Sequence, residues 1–151
     1  MAEKSIRQLI IDDIEKTLKG IQESAGYNTS IQKVHLVKVV GMNLKEFPAI
    51  IIIPADEVNS EEPIERYDAV LNITLECWVK NRDEITVEVN QLLADVQKAL
   101  LVDYTRDGKA MDTNLRGNSP FYNDTNQPYG GVDINIAIHY RTTYSDPYVL
   151  G

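Results

Sequence analysis

The chain has one cysteine, one tryptophan, two histidines and two phenylalanines in 151 residues. The lone Cys77 excludes an intramolecular disulfide and suits a reducing compartment. Two histidines, His35 and His139, with no metal-ligand spacing around them argue against zinc. Bases are outnumbered, 15 Lys and Arg against 23 Asp and Glu, for a formal charge of −8. Such a balance argues against a sequence-independent grip on nucleic acid, which needs cations to neutralise phosphates. It is compatible with a surface that DNA passes without adsorbing. No long hydrophobic run occurs; the longest, Ala49 to Ile53, is far too short to cross a bilayer. The opening MAEKSIRQLIIDDIEK is broken by Asp12, Asp13 and Glu15, so it does not read as a secretory signal. The glycosylation triplets at Asn28, Asn72 and Asn123 then count as chance matches, and a protein made and kept in a cytoplasm, with no membrane partner, is expected. There is no phosphate-cradling loop and no dinucleotide fingerprint; Gly130-Gly131 alone reads as a turn signal, and no cofactor is expected.

What is present is an ordinary globular composition, 43% hydrophobic and 25% charged, of a length that suits one domain over 1–151. Ile6, Ile10, Ile14, Leu18 and Ile21 recur at three- and four-residue spacing, flanked by Leu9 and Ile11, and predict a helix within 3–24. Ser5 suits its N-cap, and Gly20 or Gly26 its stop. Val34 to Val40 is β-branched and predicts a strand ended by Gly41. PAIIIIP predicts a short strand buried on both faces, halted at each end by Pro48 and Pro54. The following ADEVNSEEPIE, with five acids and no base, reads as a solvated loop over 55–65.

Residues 67–80 alternate cleanly, Leu71, Ile73, Leu75, Cys77 and Val79 on one face and Asn72, Thr74, Glu76, Trp78 and Lys80 on the other. A second helix is predicted over 83–101, with Asp83 as N-cap and Ile85, Val89, Leu92, Leu93, Val96 and Leu100 on its apolar face. A last strand, 132–144, alternates again, and Pro147 should prevent any further strand in the tail. The expected fold is α+β: a largely antiparallel sheet of about four strands, two amphipathic helices packed on one face, and a long loop before the last strand.

That loop, 102–131, reads VDYTRDGKAMDTNLRGNSPFYNDTNQPYGG. Loops beyond ~12–15 residues are uncommon in compact domains unless functional or disordered. A calcium loop starting at Asp103 fails, because the position for the closing bidentate glutamate is Asn114. Nucleophilic catalysis finds no support either, since Cys77 sits on the apolar face of a strand and no glycine-rich elbow presents a nucleophile. Asp12 and Asp13 are adjacent on a helix and form no acid/base pair. No catalytic residue and no metal site is therefore assigned. The aromatics are more informative. Tyr104, Phe121, Tyr122 and Tyr129 lie in the loop with Arg106 and Arg116, and Arg141, Tyr144 and Tyr148 lie on the last strand and tail. Tyrosine and arginine are enriched at protein interfaces. These nine residues are the candidate contacts with other subunits; the bland alternative is that the tyrosines pin the loop to its own domain. On the contact reading, excising residues 106–127 should leave the domain folded, since the apolar stripes are untouched, and should impair assembly; unfolding would instead support the intradomain role of the tyrosines.

The arrangement of RQLIIDDIEKTLKGI, FPAIIIIP, YDAVLNITLECWVK, QLLADVQKALLVDYT and GGVDINIAIHYRTTYSDPY resembles the tail terminator proteins of long-tailed bacteriophages, also called tail completion or head–tail joining proteins. The resemblance is one of order and texture over nearly the whole chain. It implies a structural virion protein and no enzyme. Its partners would be other copies of itself in a ring, typically a hexamer, the tail tube protein, and the head–tail connector or neck protein. DNA would pass the lumen without specific binding. The competing readings are a neck or head-completion protein that binds the connector, a small enzyme with the loop as its lid, and a monomeric binding module built around Trp78.

Overall fold

The structure, a computed structural model, describes residues 3–37, 44–63, 65–81, 83–123 and 128–151. The first helix, α1, spans Ile6–Lys19 and starts where the sequence predicts, with the Ser5 side chain accepting from the Gln8 backbone N–H at 3.2 Å. Such a cap is worth about 1 kcal/mol. Gly20 ends the helix, and Gly26, at φ +93°, turns the chain after a short 3-10 segment at Glu23–Ala25. Strand β1, Lys33–Leu36, is shorter than predicted, and residues 38–41 of that prediction lie outside the described residues.

Strand β2, Ala49–Glu62, corrects two expectations. Pro54 does not halt it, and the acidic segment is strand up to Glu62. Proline is tolerated there because, among the described residues, β1 pairs only with Ala49 to Ile52, so a missing outer N–H beyond that point costs little. The register shifts between Pro54 and Glu57, an irregularity that carries the strand past the proline. Strand β3, Arg66–Lys80, alternates as read. Helix α2, Ile85–Val102, follows; its N-cap is Glu84 and not Asp83. The Asn81 side chain accepts from both the Asp83 and Glu84 backbone N–H groups and so shapes the entry to the helix.

The thirty-residue loop is the largest correction. Its second half is a strand, β4, Asp112–Tyr122, which forms a hairpin with β5, Tyr129–Thr143. Residues 124–127, between them, lie outside the described residues. The tail is a strand too: β6, Asp146–Leu150, contains Pro147 and pairs with the end of β5. Among the described residues the sheet therefore has six strands rather than about four, in the order β1-β2-β3-β5-β4 with β6 on β5. It is mixed, because β1 and β2 run parallel while the other pairs are antiparallel.

Both helices cover one face, as expected. The stripe from Ile6 to Ile21 and the α2 residues Val89, Leu92, Val96 and Leu100 join Ile50, Ile52, Leu71, Ile73, Leu75, Cys77, Val79, Val132, Ile134, Ile136 and Ile138 in one core. Burying each such side chain stabilises by roughly 1.5–3 kcal/mol. Ile51 is also fully buried but stands on the opposite face, so the isoleucine run is buried on both sides as predicted.

The Gly130-Gly131 pair is not a turn. Both glycines lie inside β5, and each is crowded from a different face. A Cβ on Gly130 would come 2.8 Å from Ile85 Cγ1 of α2. One on Gly131 would meet the Cys77 carbonyl oxygen and lie 2.5 Å from the ring of Phe121. Gly131 sits between Trp78 and Phe121 in adjacent strands, and its missing side chain lets the two rings meet edge to face at 4.8 Å.

Candidate assembly surface

The chemistry-bearing side chains are kept apart by the pleat. Cys77 belongs to the covered face and is fully buried, and burial pushes its thiol well above the ordinary range. His35 and His139 lie on the open face, opposite Ile51 and Val70. A Cys–His pair is therefore not assembled. His139 Nε2 lies 3.2 Å from Asp68 Oδ2, and the Arg141 guanidinium donates to both oxygens of the same carboxylate. Arg141, beside it, holds Asp68 below the usual carboxylate range, with His139 adding to the effect. No group of three His, Cys, Asp or Glu side chains able to hold a metal occurs among the described residues. At the calcium-like segment, Asp103 is occupied by the chain itself, accepting from Thr105 N and Oγ1 and from Asp107 N at 3.0, 2.6 and 2.9 Å.

The nine candidate contact residues fall into three sets. Arg106 is a correction: it is fully buried and donates to the carbonyls of Leu100 and Asp103, where it caps α2 from inside the molecule. Arg106, Asp107 and Gly108 all have positive φ, at +50°, +57° and +78°. This run of left-handed residues turns the Arg106 side chain back under the helices, and nothing in its sequence pattern signals that. Phe121, Tyr129 and Arg141 form the second set, engaged within the open face: Phe121 against Trp78, Tyr129 against Phe47 at 5.3 Å with Lys80 over its ring, and Arg141 on Asp68. The third set is outward. Tyr104, Tyr122, Tyr144 and Tyr148 are each about half exposed, and Arg116 is exposed on β4.

Tyr144 stacks on Tyr67 at 5.0 Å and lines an open groove of about 450 Å³ with Glu57, Asn59, Tyr140 and Thr142. This groove continues the covered face of the sheet, and at its rim the Arg7 side chain of α1 reaches Glu57 at 3.4 Å. The Tyr140 hydroxyl donates to Glu57, and burial together with that carboxylate pushes the phenol upward. Sequence reasoning missed Tyr67, Glu57 and Asn59, because β2 was expected to end at Pro54. It also missed Asp95, which is buried and accepts from Asn28 N, Thr29 N and Thr29 Oγ1, tying the segment before β1 to α2.

Strand edges are open on both sides of the sheet among the described residues. Beyond Ile52 the outer side of β2 has no strand partner among the described residues, and β4 ends the sheet on the other side. The molecule is thus a small α+β domain with exposed strand edges, outward tyrosines and a polar sheet face. The family described as Bacteriophage Tail Tube Terminator Protein matches residues 1–110, and the chain belongs to that family. The family is structural and acts in the phage tail. The matched region ends just before β4. No curated protein matches the chain.

Proposed function

We propose that the protein forms a ring that caps the finished tail tube, ends tube polymerisation and offers its other side to the head–tail connector. Membership of the tube-terminator family carries this reading. Two features support the ring. The free edges of β2 and β4 lie on opposite sides of the sheet, so one copy can present to the next a surface different from the one it receives. Repeated head-to-tail contacts of this kind give a ring where the rotation between successive copies closes. The open sheet face, and separately the outward tyrosines, supply the amphipathic contact area that protein interfaces favour. A hexamer is the expected ring size.

The net charge of −8 supports a lumen that lets DNA pass. An anionic wall repels phosphate and gives no counterion-release gain on contact. Activity on this reading is geometric: one ring face matches the tube end, and the other does not template another tube subunit. The phage tail subunit, polymerised in the presence and absence of the protein, tests this. Tubes that stop growing and retain the protein at one end are expected; tubes that lengthen unchanged, with no bound protein, contradict it.

A further inference from the structure

The groove beside Tyr144 is aromatic, and the charge left over around it is negative. Tyr67, Tyr140, Tyr144 and Pro147 line it, together with the small, buried Ala69. The rings of Tyr67 and Tyr144 lie nearly parallel, 12° apart. Tyr144 also lines a second opening, of about 470 Å³, with Glu61, Glu62 and Glu65 among the described residues. Glu61 is the β2 partner of Tyr67 in the register, and the Tyr144 backbone N–H donates to the Glu65 carbonyl at 2.7 Å. A carboxylate-bearing residue therefore stands beside each ring of the stack. The Tyr67 phenol is pushed upward, first by its hydrogen bond with Tyr144 and in part by the Glu61 charge.

The bases of the surrounding elements are engaged elsewhere. Strands β2 and β6 contain none. Arg7 is taken by Glu57 at 3.4 Å, and Lys4 by Asp12 at 2.7 Å. Arg66 and Arg141 stand on the other face of the sheet, Arg66 opposite Glu62 and Arg141 on Asp68. Glu61 and Glu65 are exposed, and neither makes an ion pair with a described residue. A guanidinium or ammonium is drawn to the face of a tyrosine ring, and hydrogen bonds from such a cation to carboxylates are among the strong ones. The groove is thus complementary to a cationic side chain. A further copy of this chain, at −8, is repelled as a body, which favours a different protein as its source.

We propose that the tyrosine groove receives an arginine or lysine side chain of the tail tube subunit, held over Tyr144 between Glu61 and Glu65. This rests on the tube-capping reading, and it names the surface that meets the tube.

Photo-cross-linking on purified tail tubes tests it, with a photoreactive benzoylphenylalanine in place of Ser145, an exposed residue that lines the groove. The adduct should form with the tube subunit, close to one of its basic residues. Independently, Glu61→Gln combined with Glu65→Gln should weaken binding to tube ends about tenfold, with a loss that shrinks as salt is raised. Its melting temperature should stay unchanged, because both side chains are exposed. Glu23→Gln, an exposed acid past the far end of α1, should leave binding as it is. Full-strength binding by the double variant, or an adduct with a neighbouring copy in place of the tube subunit, overturns the groove contact and leaves tube capping standing. Failure of the unaltered protein to bind tubes overturns the capping reading and the groove contact together.

Discussion

Arg106, on the segment after α2, faces Asp13 of α1 across the interior at 3.5 Å. The guanidinium is completely buried, while the carboxylate keeps a small opening to solvent. Burial pushes the Asp13 carboxyl up and the Arg106 guanidinium down, each partly offset by the other's charge. The pair fastens α1 to the C-terminus of α2. Removing one partner of a buried pair leaves the other uncompensated, at a cost of about 3–5 kcal/mol. Arg106→Met should approach that loss, because it also strips donors from the Leu100 and Asp103 carbonyls. Asp13→Asn should cost less, about 1–3 kcal/mol, since those two bonds survive. In a double-mutant cycle by urea unfolding, Asp13→Leu with Arg106→Met should lose less than the sum of the single changes. Strict additivity would show that the pair is not coupled.

Two aspartates should drive stability in opposite directions on the acid side. Asp68 is held below its ordinary 3.8 first by the Arg141 hydrogen bond, so the unfolded state binds the proton more tightly. Its contribution is present above pH 3.8 and is lost as pH falls through the folded value. Asp13 is raised above 3.8 by burial, so the folded state binds the proton more tightly. Its contribution is complete below pH 3.8 and fades as pH rises through its folded value. Asp68→Asn should therefore flatten the rise of stability with pH in the acid range, and Asp13→Asn should steepen it. Chemical denaturation at a series of acid pH values reads both slopes; equal slopes in the two variants would refute the assignment.

The two adjacent glycines should differ in tolerance. An alanine at Gly130 meets Ile85 side-chain carbons, which have room to rotate away. One at Gly131 meets a backbone carbonyl and the Phe121 ring together. Overpacking of this kind costs about 1–3 kcal/mol, occasionally more. Gly131→Ala should lower the melting temperature more than Gly130→Ala, and adding Phe121→Ala should recover only part of the loss because the Cys77 carbonyl remains.

Excision of residues 106–127 should unfold the protein, contrary to the expectation from sequence. The deletion removes the whole of β4 together with the buried Arg106. Circular dichroism with a thermal melt checks this, and a cooperative transition near that of the intact chain would contradict it.

The elements that were legible are those that bury one face. The α1 stripe, the α2 face and the alternation of β3 and β5 are written in isoleucine, leucine and valine at the period of each element. Strand β4 was not legible, because DTNLRGNSPFY is an edge strand exposed for most of its length and so carries no apolar alternation. Its glycine and proline read as loop, although at an edge a bulge and a missing donor are tolerated. The same reasoning explains the misplaced end of β2 at Pro54 and the unseen β6 around Pro147. Among the candidate contacts, Tyr104, Tyr122, Tyr144 and Tyr148 lie exposed. Arg106 is buried, which was not legible because an arginine turned inward by three left-handed residues has the same one-letter context as an exposed loop arginine.

The most direct test of the account is an averaged electron-microscopy image of tail tubes grown in the presence of the purified protein. The account predicts a closed ring of this protein seated on one end of tubes that have stopped growing. Bare tube ends, or single copies bound without a ring, would contradict it.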